Sequence, residues 1–359
     1  MRKARKKGNG GDMMLKRGKR YTMLFLPVFL FMLCTGPSLH GQTGGPEPDR
    51  VVPGAYDVWS LDMARDGRIV FSGKEEGEAG PKMRIWLFKP DSSGKPVLWT
   101  GTGSLIDSSP KWAPDGSGVV LVRKTASTAQ QPVLTTGIWW KEFPSGAGLR
   151  LTSGPQDRDP AWAPAGETLV FVRGEGLYNS SLMMIEKNGL GLKTLIASVQ
   201  GFITTPNWGR NDKIYYTLLK QRKTMVEAVG YPAECWGLDS GSIWVYDLKT
   251  GENRPFLENS DDNRHPSVSP DGRYLAYIST GGQESPEGKV VRDRGSLFVL
   301  DLKEQTRFLI SNGVSLNGGP PCWSPDGKRL AFFSFRDNRP AVWSLPWQKY
   351  AQTVKVDSD

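Results

Sequence analysis

The chain has 359 residues and a formal net charge of +9, with 38% hydrophobic and 23% charged residues. The positive charge lies at the N-terminus, because residues 1–41 hold nine of the 46 Lys and Arg residues and one of the 37 acidic residues. The remaining 37 basic and 36 acidic residues nearly cancel. This balance lacks the bulk charge of a nucleic-acid-binding protein, and we expect no nucleic-acid partner.

The first 41 residues are typical of an export signal. A basic stretch that ends at Arg20 is followed by an apolar run of twelve residues, 23–34, and Pro37 follows shortly after it. Such a run is short for a membrane span and matches the apolar core of a signal peptide. We predict a signal peptide over residues 1–41, or alternatively a retained N-terminal anchor, followed by a linker over residues 42–54. The protein is then periplasmic or secreted, and it contacts the membrane only through its N-terminal segment.

A seven-residue phrase recurs at intervals of about fifty residues through the rest of the chain. Its fullest form is Pro-x-Trp-x-Pro-Asp-Gly, in which Asp-Gly is typical of a tight turn between two strands. A fixed period of this size indicates stacked units that are each too small to bury their apolar surface alone. The six copies begin at Leu61, Pro110, Pro160, Pro206, Pro266 and Pro321.

The phrase is the first of four strand-like segments in each repeat, here named strands A to D. The others are short and rich in β-branched and aromatic residues, as in Val119-Val120-Leu121, which favours strands over helices. Six such repeats predict an all-β fold, a six-bladed β-propeller of four-stranded antiparallel blades over residues 55–356. Tryptophans of strand A are expected to fill the space between neighbouring blades. They are Trp112, Trp162, Trp208 and Trp323. Blades 1 and 5 carry Met63 and Val268 there, which predicts looser packing.

The closure of the ring has two possible registers in the sequence. Residues 352–356 can supply the last strand of blade 6 by themselves. Alternatively, residues 51–56 can pair with that blade and link the two ends of the propeller.

The phrase Pro-x-Trp-Ser-Pro-Asp-Gly, followed by an apolar strand such as Leu330-Ala331-Phe332, resembles the WD40-like PD40 repeat of TolB-type propellers. The resemblance covers roughly residues 55–356, and residues 321–332 are its closest copy. It implies a six-bladed propeller of the kind found in bacterial envelope proteins and fused to serine peptidases. We expect neither the N-terminal α/β domain of TolB nor a hydrolase domain here, so binding of a Pal-type lipoprotein does not carry over.

Recognisable catalytic and metal-binding patterns do not occur in the sequence of residues 42–359. His265 is the only histidine there, and no Gly-x-Ser-x-Gly, His-x-x-x-His or Cys-x-x-Cys motif is found. Asn259, Asp261 and Asn263 begin like a calcium loop, but Arg264 stands where that loop needs glycine. We therefore predict no catalytic residue, no metal and no cofactor, and a binding protein in preference to an enzyme.

Two loops are unusually long. Because strands A to D alternate in direction, the B–C and D–A connections share one face of the ring, here named the top face. The strand-A Trp position and the strand-C aromatic position are 20 and 21 residues apart in blades 6 and 3, but 36 and 30 apart in blades 4 and 5. Loops on a rigid scaffold commonly carry function. The predicted partner-binding residues in these two loops are Tyr231, Trp236, Glu284, Arg292 and Arg294.

The residue before the first proline of the phrase is expected at the top of the innermost strand, facing the central channel. The predicted channel-mouth residues are Ser60, Ser109, Asp159, Thr205 and His265. Polar side chains and one imidazole around an axis can bind a small ligand. The nearby Asp107 and Asp157, with Asp159, could do acid–base work or hold a cation at the mouth, or they cap turns and solvate a loop. A water-filled channel without a ligand is the alternative.

Two functions fit the sequence. The favoured one is an exported, monomeric scaffold that binds a protein or cell-envelope partner through its long B–C loops. It is favoured because those loops are long and no catalytic set is present. The alternative is a small-ligand or carbohydrate-active propeller that uses the channel mouth.

Overall fold

A computed structural model shows six antiparallel sheets arranged as the six blades of a β-propeller, as the sequence predicted. The structure describes residues 48–78, 83–90, 94–100, 106–125, 135–154, 156–175, 179–228, 231–281, 295–316, 318–336 and 339–354. For residues 221–239 the description covers the backbone. These residues belong to one compact unit, residues 45–359. No helix within the described ranges has the length and apolarity needed to cross a membrane.

The first three blades follow the predicted order of strands, with A innermost and D outermost. The strands of blade 1 are Tyr56–Met63, Ile69–Glu75, Arg84–Phe88 and Val97–Leu98. Those of blade 2 are Ile106–Trp112, Gly118–Thr125, Thr135–Glu142 and Gly148–Arg150. Those of blade 3 are Asp157–Trp162, Thr168–Glu175, Asn179–Glu186 and Lys193–Gln200.

The other three blades differ in length and in the origin of their outer strands. The strands of blade 4 are Phe202–Trp208, Lys213–Ala228, Tyr231–Asp247 and Asn253–Leu257. Those of blade 5 are Asn263–Val268, Tyr274–Ser279, Gly295–Asp301 and Arg307–Val314, with Gln352–Val354 as a fifth. Those of blade 6 are Cys322–Trp323, Leu330–Ser334, Ala341–Leu345 and the N-terminal Asp49–Arg50. A short helix, Trp347–Tyr350, follows blade 6.

The Asp-Gly turns join strands A and B on the face opposite the top face, here named the bottom face. In blade 2, Gly116 has φ of +72°, a conformation that a residue without Cβ adopts freely. The Asp115 carboxylate accepts the backbone N–H of Ser117 at 2.9 Å, which closes the turn. The aspartates of the turns in blades 1, 5 and 6 accept the N–H two residues further along in the same way.

The core lies between blades, and the strand-A tryptophans fill it as predicted. Trp112, Trp162 and Trp323 are all at most 9% exposed. The indole Nε1–H of Trp162 donates to the carbonyl of Lys111 in blade 2 at 3.2 Å, and that of Trp323 donates to the carbonyl of Ser267 in blade 5 at 2.9 Å. Trp162 and Trp323 thus join their blades to the preceding ones by packing and by a hydrogen bond, whereas the buried Nε1 of Trp112 has no partner among the described residues. Trp208, the fourth member of the column, is half-buried.

The ring closes through the N-terminus. Asp49–Arg50 pairs antiparallel with strand Ala341–Leu345 of blade 6, and the N–H of Val51 donates to the carbonyl of Val342 at 2.9 Å. Gln352–Val354 pairs instead with the outer strand of blade 5. The prediction that residues 352–356 complete blade 6 was therefore wrong. The alternative, in which N-terminal residues pair with blade 6 and link the ends of the ring, is correct. The pairing strand, here named the latch strand, is Asp49–Arg50 rather than residues 51–56.

Candidate functional site

The innermost strands carry an irregularity at the predicted channel mouth. In blades 2 to 5 the pairing of strands A and B shifts at the residue before the proline, which is a β-bulge. The four residues at the bulge have left-handed φ values: Ser109 (50°), Asp159 (51°), Thr205 (46°) and His265 (62°). This region is costly for a residue with a Cβ, and such residues concentrate at functional sites.

Hydrogen bonds join the mouth residues of blades 3, 4 and 5. The Asp159 carboxylate accepts the backbone N–H of Thr205 at 3.3 Å. The hydroxyl of Thr217, on strand B of blade 4, lies 3.3 Å from the Thr205 hydroxyl and accepts the backbone N–H of His265 at 2.9 Å. The structure therefore brings Asp159, Thr205 and His265 into one polar network around Thr217.

Ser60 and Ser109 occupy the corresponding level on blades 1 and 2. The Ser60 hydroxyl lies 2.7 Å from the hydroxyl of Ser72 on strand B of the same blade. Across the joint to blade 6, a Cβ built on Gly319 would lie 3.2 Å from the Ser60 Cβ, so the two backbones approach closely. The innermost strands of successive blades contact one another all the way round, and this places the five predicted residues on one ring.

His265 is the one mouth residue that is buried and keeps an unpaired polar atom. Its side chain is 8% exposed, and its Nε2 lies 2.8 Å from the carbonyl oxygen of Leu316. A carbonyl only accepts hydrogen bonds, so Nε2 carries the hydrogen and Nδ1 of the neutral ring is an acceptor. Within the described residues, Nδ1 is buried without a partner.

Burial lowers the pKa of His265 from its usual 6.5, and the positive charge of Arg264 acts in the same direction. The hydrogen bond to Leu316 and the carboxylates of Asp159 and Asp262 oppose this effect. The imidazole is therefore neutral at physiological pH, and it offers a buried lone pair.

Asp107 and Asp157 hold strand A against strand B. Both carboxylates are fully buried, and each accepts two hydrogen bonds from one arginine, Arg123 and Arg173 respectively, at 2.7–3.0 Å. These contacts raise the pKa of both arginines. Of the three neighbouring aspartates, only Asp159 lies at the mouth without an arginine partner in the described part of the chain.

The long B–C connection of blade 4 forms an arm. Its strands pair up to Leu219 and Gly241 as part of the blade, and residues 221–228 then pair with residues 231–238 as a two-stranded hairpin. The predicted partner-binding residues Tyr231 and Trp236 lie on the second strand of this hairpin, opposite Ala228 and Lys223 in the backbone register. Glu284, Arg292 and Arg294 lie outside the described residues.

Sequence reasoning missed Ser72 and Thr217, although a signal for both was present. They occupy the position after the strand-B apolar triplet, which is Val122, Val172 and Ile278 in blades 2, 3 and 5. A polar residue in an otherwise apolar column indicates a buried hydrogen bond, and both hydroxyls contact the mouth residue of their own blade. No group of three or more His, Cys, Asp or Glu side chains within the described ranges is placed to hold a metal.

No protein-family model matches the chain. It is 33% identical over 81 residues to the Tol-Pal system protein TolB of Alcanivorax borkumensis, covering 23% of this chain and 16% of TolB. It is 24% identical over 189 residues to an uncharacterized peptidase, YuxL, of Bacillus subtilis, covering 47% of this chain and 28% of YuxL. The chain therefore spans less than a third of the length of these two curated relatives.

Solved structures share the architecture at low identity. TolB from Acinetobacter baumannii aligns with a TM-score of 0.60 at 16% identity, covering 82% of this chain and 64% of TolB. Oligogalacturonate lyase from Vibrio parahaemolyticus aligns with a TM-score of 0.51 at 12% identity, covering 82% and 92%. Puromycin hydrolase aligns with a TM-score of 0.52 at 13% identity, covering 88% and 48%. At these identities the likeness concerns the fold, and the chain has the six-bladed propeller fold of the TolB structures.

Proposed function

We propose that the protein is an exported scaffold that binds a protein or cell-envelope partner with its top face, chiefly through the arm of blade 4. Export rests on the signal-like residues 1–41. Partner binding rests on one observation, the projection of the arm beyond its own blade. The likeness to a protein of the Tol-Pal system supports a partner in the envelope.

The arm has the properties of a docking element. Each arm strand has eight residues, 221–228 and 231–238, and reaches about 26 Å at roughly 3.3 Å per residue. In the described structure each arm strand pairs only with the other one, so both outer edges present unpaired backbone N–H and C=O groups. An isolated two-stranded hairpin is marginally stable in water, and an open edge is a ready template for an added strand. A partner that adds a strand to this edge satisfies both conditions.

The position of the arm also fits this role. Strand B ends at the face where strand A begins, so the arm rises from the same face as the channel mouth. The mouth residue Thr205 and the arm both belong to blade 4, and Thr217 links strand B of this blade to the network. A partner held by the arm thus reaches the channel mouth without crossing another blade.

Deletion of the arm tests the proposal. We would replace residues 221–238 with Asn-Gly, a sequence suited to a two-residue hairpin turn, which keeps the paired part of blade 4. The control is Lys303→Glu, which reverses the charge of a side chain that is 80% exposed. Lys303 lies in the C–D turn of blade 5, on the bottom face. Quantitative cross-linking in an envelope extract of the source organism is expected to capture a partner with the wild type and the control but not with the arm deletion. Equal capture by the arm deletion, at an unchanged melting temperature, would refute the proposal.

A second function is favoured by the unpaired Nδ1 of His265. A small polyhydroxylated ligand, such as a sugar, has hydroxyl groups that can donate to Nδ1 and to the Asp159 carboxylate. Thermal shifts with a glycan panel would test this, using Asp159→Asn and His265→Gln as variants and Lys303→Glu as the control. A shift that survives both mouth substitutions would rule the mouth out as the site.

A further inference from the structure

A cavity lies at the bottom mouth of the channel, on the face opposite the predicted site. Its volume is about 240 Å³, and every blade contributes to its wall with the end of strand A or the start of the A–B turn. It is therefore centred on the ring axis. No residue of this mouth belongs to the network around Thr217.

The wall of this cavity interrupts the repeat in two places. The second proline of the phrase lines it in blades 2, 3, 5 and 6, as Pro114, Pro164, Pro270 and Pro325. The corresponding residues of blades 1 and 4 are Arg65 and Arg210, which also line the cavity. Blades 1 and 4 are opposite each other in a ring of six, so the two arginines line the cavity from opposite sides of the axis.

The positive charges of the two guanidinium groups are not neutralised by an ion pair among the described residues. Arg65 and Arg210 are exposed, and neither makes an ion pair or a side-chain hydrogen bond with any residue in the described ranges. The acidic residues of the two arginines' own turns are engaged elsewhere: Asp66 pairs with Arg68 at 2.7 Å and Asp212 pairs with Lys249 at 3.0 Å. No carboxylate is among the described residues that line the cavity. Two uncompensated positive charges at one small opening attract an anion.

Apolar side chains form much of the wall between the arginines, and Asn207 and Ser269 are its uncharged polar members. Trp208 and Trp323 line it together with Met63 and Val268, which stand where other blades carry a tryptophan. Their smaller or more flexible side chains leave space that an indole would fill. The four prolines restrict the backbone at the rim, which limits the rearrangement that binding requires and so favours affinity.

We propose that this cavity binds a small dicarboxylate, with one carboxylate on Arg65, the other on Arg210, and an apolar middle against the indoles. Arginine and carboxylate form charge-assisted pairs, which are often bidentate. A single phosphate group concentrates its charge at one point, where it matches two adjacent arginines. Here the cations stand on opposite blades, and that separation selects a ligand with two anionic ends. This site is separate from the proposed partner-binding face and does not depend on it.

The test is calorimetric titration of the full chain with linear dicarboxylates of four to ten carbons, and with butyrate and inorganic phosphate as comparison anions. One dicarboxylate length is expected to bind best, at one molecule per chain, and at least tenfold more tightly than butyrate or phosphate. Arg65→Pro and Arg210→Pro restore the residue of the other four blades, so we expect both variants to fold and each to weaken binding at least tenfold. Arg65→Gln and Arg210→Gln give the same test if a proline variant fails to fold.

The matched control is Lys328→Ala. Lys328 is 77% exposed in the A–B turn of blade 6, on the same face but outside the cavity wall, and its loss is expected to leave binding unchanged. Three results would overturn the proposal: no dicarboxylate binds, phosphate or butyrate binds as tightly, or the arginine variants bind as well as the wild type. An equal loss in Lys328→Ala would also overturn it, because it would indicate general attraction to a positive face.

Discussion

The state of His265 predicts a specific dependence of stability on pH. Burial lowers the pKa of His265 in the folded protein below 6.5, the usual value for a histidine. Well above pH 6.5 the ring is neutral in both the folded and the unfolded chain, and His265 does not oppose folding. Below pH 6.5 the unfolded chain takes up a proton that the folded chain refuses, so the free energy of unfolding falls as the pH falls.

The magnitude follows from linkage. The free energy of unfolding falls by at most about 1.4 kcal/mol per pH unit until the folded-state pKa is reached. At pH 5.5, one unit below the unfolded value, the largest loss is about 1.4 kcal/mol. The charged groups that act on the ring are Arg264, Asp159 and Asp262, and all three remain in a variant that replaces only the histidine.

The assay compares urea unfolding of the wild type and His265→Gln at pH 7.5 and pH 5.5, followed by tryptophan fluorescence. The glutamine amide can replace the Nε2–H donor to Leu316, but it does not titrate. Carboxylates whose pKa is lowered in the folded protein, such as Asp301, contribute less to stability as the pH falls. They are the same in both proteins, so this loss also cancels in the difference. Asp62, whose pKa is raised by burial, is present in both proteins and cancels in the difference.

We expect the wild type to lose up to about 1.4 kcal/mol more than His265→Gln between the two pH values. Equal losses in the two proteins would refute a buried neutral imidazole. A smaller loss in the wild type would reverse the sign, and would mean that Asp159 and Asp262 stabilise a charged ring.

Four further substitutions test the packing and the polar contacts. Trp323→Ala removes an indole that is 7% exposed together with its bond to Ser267 and should cost about 3–5 kcal/mol in thermal unfolding. The half-buried Trp208→Ala should cost less, and equal losses would contradict unequal burial. Asp157→Ala leaves two Arg173 donors unpaired and should lower the free energy of unfolding by about 3 kcal/mol. This is the low end for a broken buried pair, because Arg173 is 22% exposed. A loss below about 1 kcal/mol would contradict this role. Thr217→Val removes two hydrogen bonds but keeps the shape of the side chain, and blades 2 and 3 have valine at this position. It should lower the free energy of unfolding in urea by about 1–2 kcal/mol. No loss would mean that the mouth network does not stabilise the fold.

The blade architecture was predictable because the repeat encodes it redundantly. Each phrase carries a turn signal, an apolar strand and an inter-blade tryptophan, so one weak copy does not hide the period. The latch strand Asp49–Arg50 was not predictable in the same way. It has two charged residues and no apolar alternation, and only the geometry of the ring places it against blade 6.

The channel mouth was predictable in position but not in conformation. Proline normally biases the preceding residue towards extended backbone, and nothing in the sequence indicates the left-handed φ of Asp159 or His265. The bulge also explains why the mouth residues form hydrogen bonds to neighbouring strands, since it turns the chain out of the regular ladder. The bottom cavity was not predictable, because the A–B turns are short and the sequence gives no sign of the space between the ends of the innermost strands.

Blades 1 and 4 depart from the repeat at more than the bottom mouth. The residue between the first proline position and the tryptophan position is Asp62 in blade 1 and Asn207 in blade 4. The Asp62 carboxylate accepts the backbone N–H of Trp112 in blade 2 at 2.8 Å, and the Asn207 amide oxygen accepts that of Val268 in blade 5 at 2.9 Å. The same inter-blade contact thus occurs twice, three blades apart.

The polar residues of strand B repeat with the same spacing. Ser72 and Thr217 are the hydroxyl-bearing members of their column in blades 1 and 4, as Arg65 and Arg210 are the arginines of the proline column. The departures at two positions of strand A and at one position of strand B therefore occur on the same two opposite blades. They give the ring approximate twofold symmetry about its axis. A linear dicarboxylate has the same symmetry, so its two ends would meet equivalent cations. A single arginine on one blade would lack this match, and for this reason both arginine substitutions are expected to weaken binding to a similar extent.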